Sequence, residues 1–395
     1  MRGKRVSSFV MVGVGLFWAV ATAAALGDTA LPEANSMLEW SPAETLLGFR
    51  QVENIFPTLR VRRGDVVHPL SQADQELEVR FDWQGESWSV EDYMQRHRLT
   101  GLLVLQGDDI LLERYAHGRS RDDRWVSFSM AKSLTSTLVG AAIRDGDIDG
   151  LHAPLTATVP ELIGSAYDGV TVRQLLTMTS GVAWNEDYDD PASDVAELFA
   201  EPMVDRESPV LSYLRRLPRA HAPGSQFNYN TGETELVGVL VARATGRNLA
   251  DYLSEKIWAP FGMERDALWQ VHEDGQAMGG CCLNFTLRDQ GRFGRFILGG
   301  GMIDDEAVLP EEWLDLATQP LIELEGGQGY GFQWWTRDGT FQALGIFGQM
   351  MLLDPELDLV IVVNAAWPNT GDDELRAARW ALVDAVRSAA GPSPR

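Results

Sequence analysis

Ser129 and Lys132 stand three positions apart in the run Ser127-Phe128-Ser129-Met130-Ala131-Lys132-Ser133. On a helix such positions share a face, so hydroxyl and amine can touch. A serine hydroxyl becomes a nucleophile once a base takes its proton. A lysine can be that base when burial or nearby cations lower its pKa. In the first turn of a helix, Ser129 would also sit among unpaired backbone N–H groups, which favour developing negative charge. The same spacing fits an ordinary helix start with a solvated lysine. Composition weighs against that: of 33 Lys plus Arg, only Lys4, Lys132 and Lys256 are lysine. Arginine, used elsewhere, cannot give up its proton in a protein.

A second run, Pro223-Gly224-Ser225-Gln226-Phe227-Asn228-Tyr229-Asn230-Thr231-Gly232, lies in a turn-rich loop before helical patterning. A tyrosine near a lysine ammonium can have a lowered pKa and shuttle a proton, which points to Tyr229; a packing tyrosine would give the same letters. The loop Glu186-Asp187-Tyr188-Asp189-Asp190 fits attraction of an amine, or simply a solvated acidic loop. The six histidines are scattered without metal-ligand spacing, so neither metal nor cofactor is implied. Cys281 and Cys282 are adjacent. Sequence neighbours rarely bridge each other, so two small buried residues are expected.

The elements that must position these residues fall into three stretches. Residues 28–98 read as an N-terminal extension wrapping a main domain over 99–390. Leu102–Leu105 and Ile110–Tyr115 flank Gly107-Asp108-Asp109 as a hairpin. Ser129 to Arg144 reads as a helix stopping near Gly146. The middle, about 150–300, is helical in pattern, clearest at Val172–Met178, Glu233–Ala244 and Leu287–Leu298. Strands return after Gly331: Gln333–Thr336 and Phe341–Leu344 flank Arg337-Asp338-Gly339-Thr340, and Met350–Leu353 and Leu357–Val363 flank Asp354-Pro355-Glu356. Asp373–Ala389 closes the chain as a helix. Strands at both ends with helices between predict an α/β fold: an antiparallel sheet from both chain ends, flanked by helices, with a mainly helical inserted region. The cleft between sheet and insert is then the default site.

Residues 1–27 read as a signal peptide or an uncleaved N-terminal anchor: basic Arg2, Lys4 and Arg5, an uncharged run from Ser8 to Ala25, and small residues at Ala21, Ala23 and Ala25. Export to the periplasm or outside the cell is expected. The formal charge of −24 over 395 residues disfavours nucleic acid and anionic membrane as partners. An acidic, soluble exterior is the plainer meaning of that charge. The hydrophobic share of 45% and 13 Trp provide for a large core.

Ser129-x-x-Lys132, Pro-Gly-x-x-Phe-x-Tyr229 and Gly345-Ile346-Phe347-Gly348-Gln349 occur in that order, and together they resemble the three motifs of the β-lactamase-related serine hydrolases. That family includes class C β-lactamases, penicillin-binding carboxypeptidases and esterases. Thr177–Gly181 and the stretch from Asn284 to Gly294 resemble further family segments, so the likeness covers roughly 100–390. It is most similar to the 6-aminohexanoate-dimer hydrolase branch, which has Tyr-Asn-Thr-Gly-Glu (here Tyr229–Glu233) and an acidic Tyr-Asp-Asp-Pro loop (here Tyr188–Pro191). The resemblance implies a serine β-lactamase-like fold and an acyl-enzyme on Ser129. It makes Lys132 the base and Tyr229 the relay to the leaving group. Tyr188 would contact the scissile nitrogen, and Asn284 and Ile346 would line the pocket. The Ser129 N–H would supply half of an oxyanion hole. Two departures matter. Thr231 stands where Tyr-x-Asn usually ends, and Ile346 stands where a Lys or His usually precedes Gly. That missing cation ordinarily binds a substrate carboxylate. The expected substrate is therefore a short ester or linear amide. The alternatives are a penicillin-binding D-Ala carboxypeptidase or β-lactamase, and a non-catalytic binding protein on this fold.

Overall fold

The computed structural model describes residues 30–34 and 37–392, so the expected export segment lies outside the described residues. No described helix is long and apolar enough to cross a membrane.

Both chain ends build one nine-stranded sheet, as the hairpin signals predict. Its order is Ile322–Glu323, Gln328–Tyr330, Trp335–Arg337, Thr340–Leu344, Met350–Asp354, Leu359–Ala365, Leu99–Gln106, Asp109–Tyr115 and Ser71–Gln72. Every pair is antiparallel except the edge strand Ser71–Gln72, which runs parallel to Asp109–Tyr115. The central pair joins the ends directly, with Val362 opposite Leu103. Alternate residues serve opposite faces. Leu102, Val104, Ile361 and Val363 pack with Tyr93, Met94, Leu382 and Val383. Leu103, Leu105, Val360 and Val362 pack with Leu134, Leu138, Phe293 and Phe296 on the other side. The sheet is thus covered twice: by Val90–Arg96 and Asp373–Ala390 on one face, and by Ala131–Asp145 and Leu287–Leu298 on the other, with Thr231–Thr245 packed against Ala131–Asp145.

The Asp338-Gly339 turn is tighter than the sequence pattern suggests. Arg337 pairs with Thr340, and both turn residues have positive φ, 48° and 76°. Gln333 lies outside the strand, with φ 63°, and its amide donates to the carbonyls of Leu175 and Leu176.

The middle region is less purely helical than its patterning suggests. Thr58–Val61, Ala267–Gln270, Leu283–Thr286 and Arg124–Val126 form a four-stranded sheet in that order. The two strands from the insert are buried at every position, so they show no alternation to read. The N-terminal extension is woven into both sheets rather than laid over them. Cys281 and Cys282, expected as separate thiols, are joined to each other by a disulfide. Cys282 takes left-handed backbone, φ 68°, which bends the chain at that pair.

Candidate active site

Ser129 sits in a single 3-10 turn, Phe128–Met130, that runs into the helix Ala131–Asp145. The helix starts two residues later than expected, and Gly146 caps it at φ 84°. Just before the serine, Phe128 holds φ 46°, a costly conformation for a side chain of that size. Packing holds it there. The Phe128 ring lies 4.9 Å from Phe49 and 5.0 Å from Phe347, and those two are 5.1 Å apart. Ser127 behind it is buried, while Ser129 is half-exposed.

Lys132 is buried, and its ammonium has three partners: Ser129 Oγ at 3.1 Å, Thr231 Oγ1 at 3.0 Å and the Gly280 carbonyl at 2.8 Å. An ammonium has three protons, so each is accounted for. Burial lowers the pKa to about 8, while the carboxylates of Glu186 and Glu235 act against that fall. About a tenth of the lysine is then free base at pH 7. Loss of the proton facing Ser129 leaves a lone pair aimed at the Ser129 hydroxyl, and the other two N–H groups keep their acceptors.

Glu235, on the helix Thr231–Thr245, holds the Gly280 acceptor in place. Its carboxylate accepts from Gly279 N at 2.8 Å and Gly280 N at 3.0 Å, and it meets His272 Nε2 at 3.1 Å. A Cβ on Gly280 would lie 2.9 Å from Thr231 Cγ2 and 3.0 Å from Glu235 Oε1, so a larger residue would displace the carbonyl. Neither Glu235 nor His272 carries a sequence signal for this role, because the partners are separated by 37 residues.

Tyr229 stands beside the pair, with Lys132 Nζ 5.3 Å from its ring centroid. Its pKa does not fall as expected beside a lysine. Burial pushes the phenol well above its usual range, with Glu186 adding to the rise and the nearby Ser129 hydroxyl opposing it. The phenol is therefore neutral and able to donate. Trp335 stacks on Tyr229 at 5.5 Å, and Tyr330 lies 4.9 Å from Trp335, forming an aromatic wall that sequence reasoning missed.

The acidic loop divides. Asp187 and Asp189 are exposed, and Asp187 caps the Asp189 N–H. Glu186 turns inward, where its carboxylate accepts from Thr231 N at 2.9 Å, Tyr188 OH at 2.6 Å, the Thr231 hydroxyl and the Trp184 indole. Tyr188 is thus drawn to the same cluster. Asn284 is 1% exposed in the small sheet; its amide donates to the carbonyls of Leu268 and Cys282. No hydrogen bond among the described residues joins Asn284 to Ser129, Lys132 or Tyr229, and its Oδ1 has no partner there.

Ile346 is half-buried in the turn that follows the strand Thr340–Leu344. In this turn Gly345 N donates to Gln349 O, Phe347 N to Gln349 Oε1 and Gly348 N to Gly345 O. That leaves Ile346 N free among the described residues. A Cβ on Gly345 would come within 2.7 Å of the Ser127 carbonyl, so only glycine lets the turn approach the segment before Ser129 this closely. Among the described residues no group of His, Cys, Asp or Glu is arranged to hold a metal ion.

Residues 89–385 match the Beta-lactamase protein family. A 6-aminohexanoate-dimer hydrolase of Paenarthrobacter ureafaciens is 33% identical over 341 residues, covering 81% of this chain and 85% of that protein. Esterase EstB of Burkholderia gladioli is 31% identical over 162 residues, covering 39% and 41% of the two chains. Among solved structures, a Bacillus anthracis protein assigned as a 6-aminohexanoate-dimer hydrolase superposes with a TM-score of 0.81 at 23% identity, covering 92% of this chain and 98% of that one. That likeness supports the fold.

Proposed function

The chain belongs to the beta-lactamase family of serine hydrolases, and from that premise we propose that it cleaves short esters or linear amides through an acyl-enzyme on Ser129. The observation that carries this reading is the Ser129–Lys132 contact at 3.1 Å, with the lysine buried and its pKa lowered to about 8.

Ser129 Oγ attacks the substrate carbonyl carbon while its proton passes to Lys132 Nζ. The oxyanion is held by the backbone N–H groups of Ser129 and Ile346, each worth several kcal/mol at the transition state. The C–O or C–N bond breaks as the leaving oxygen or nitrogen takes the Tyr229 phenolic proton, which Lys132 replaces. Tyr188 contacts a departing nitrogen from its loop. Water, deprotonated by Lys132, then attacks the acyl carbon, releasing the acid and restoring Ser129.

Ile346 in place of a cation speaks against β-lactams and D-alanyl peptides, whose carboxylates would be desolvated without a partner. The basic start and uncharged run of residues 2–25 support export of the chain; sequencing the mature N-terminus from fractionated cells tests that. The hydrolase reading is tested with Ser129→Ala. The variant should lose both p-nitrophenyl ester turnover and labelling by a fluorophosphonate probe while keeping its melting temperature. Labelling at the parent rate would remove Ser129 from the mechanism.

A further inference from the structure

Thr231 replaces the asparagine that usually ends the second motif, and its surroundings explain how a hydroxyl can serve there. A hydroxyl has one proton to give. The Thr231 hydroxyl gives it to Glu186 Oε1, so toward Lys132 Nζ, 3.0 Å away, it can only accept. The Thr231 N–H donates to the other oxygen of the same carboxylate at 2.9 Å, which fixes the glutamate in two places at the start of the helix Thr231–Thr245. That oxygen also takes the Trp184 indole N–H, and Oε1 takes the Tyr188 hydroxyl at 2.6 Å. One carboxylate therefore ties the loop, the helix start and, through one hydroxyl, the buried amine.

We propose that Glu186 is a positioning residue of the hydrolytic reaction: it orients the Thr231 hydroxyl so that Lys132 keeps two protons engaged and exchanges the third with Ser129, and it holds Tyr188 closed over the same group. Without Glu186 the Thr231 hydroxyl is free to rotate and donate to neutral Lys132. The lone pair would then be taken up by Thr231 instead of Ser129. This rests on the assignment of Lys132 as base.

The charged and titratable groups facing Lys132 are Glu186 from the loop and Glu235 from the helix, with His272 behind Glu235 and the neutral Tyr229 ring alongside. Glu186→Gln removes one of the two anions, so the lysine should hold its proton less tightly.

The test is the pH profile of p-nitrophenyl ester hydrolysis by the full chain. Glu186→Gln should lower kcat about tenfold at alkaline pH, where the lysine is already neutral, with KM within about twofold. Its acid limb should move about one pH unit lower. A loosened loop alone would lower the plateau and leave the limb in place. Thr231→Val should reproduce the plateau loss and Thr231→Ser should restore it, which keeps the test open should the Gln variant fold poorly. An unshifted limb in Glu186→Gln, whatever its plateau, or parental kcat in Thr231→Val, overturns the proposal. Failure of the underlying reading is distinguishable: Lys132→Arg would then remain active, whatever Glu186 does.

Discussion

Lys132 Nζ donates to the Gly280 carbonyl at 2.8 Å, the shortest of its three hydrogen bonds, across 148 residues of sequence. The acceptor is itself carried by Glu235, which holds the Gly279 and Gly280 N–H groups. Lys132 is therefore placed by its surroundings as well as by its helix.

Lys132→Arg keeps the charge and removes the base, since a guanidinium does not deprotonate. Activity should fall by about 10²-fold or more. In the parent, kcat/KM should rise with pH as Lys132 loses its proton, with a limb centred near pH 8 because burial lowers this lysine to about 8. Near-parental activity of the arginine variant would reduce the role of Lys132 to charge alone.

Burial alone would push the His272 pKa down, but its hydrogen bond to Glu235, the Glu235 charge and Asp274 outweigh it and raise the value. A raised histidine contributes stability that is full below its ordinary 6.5 and lost as pH climbs through the folded-state value. His272→Gln should therefore lower the melting temperature more at pH 6 than at pH 9. An equal loss at both would show that the imidazolium pairing adds nothing.

Phe49 lies against Phe128 and Phe347 and is fully buried. Phe49→Ala should cost about 3–5 kcal/mol in denaturant unfolding. Because Phe128 needs that packing to hold its left-handed backbone, kcat should fall as well in the fraction that remains folded. Full kcat would show that the nucleophile turn is held without Phe49.

Short p-nitrophenyl esters should be turned over with little or no turnover of nitrocefin. Among linear amides, a free amino end should be preferred to its N-acylated analogue, because Asp187 and Asp189 are exposed beside Tyr188. The measurement is kcat/KM for each. Efficient nitrocefin hydrolysis would show that a carboxylate needs no cation at Ile346.

The Ser129–Lys132 contact was legible because its geometry is local: two side chains three positions apart. The same holds for the hairpins of the main sheet, whose turns carry Gly and Asp at the positions that bend. Glu186 was not legible, since composition describes an acidic loop as a whole and cannot say which carboxylate turns inward. Glu235, Gly280 and Phe49 join the site through contacts distant in sequence, which a single sequence does not display. The elevated Tyr229 pKa depends on burial, not on the neighbouring letters.

The packed rings of Phe49, Phe128 and Phe347 have a consequence for the making of the protein. One ring comes from near the start of the described chain, one precedes Ser129, and one follows Ile346 in a late turn. A nascent chain still short of Phe347 lacks one of the three rings packed against the left-handed turn before Ser129. That packing can be completed only after the last strands have been made.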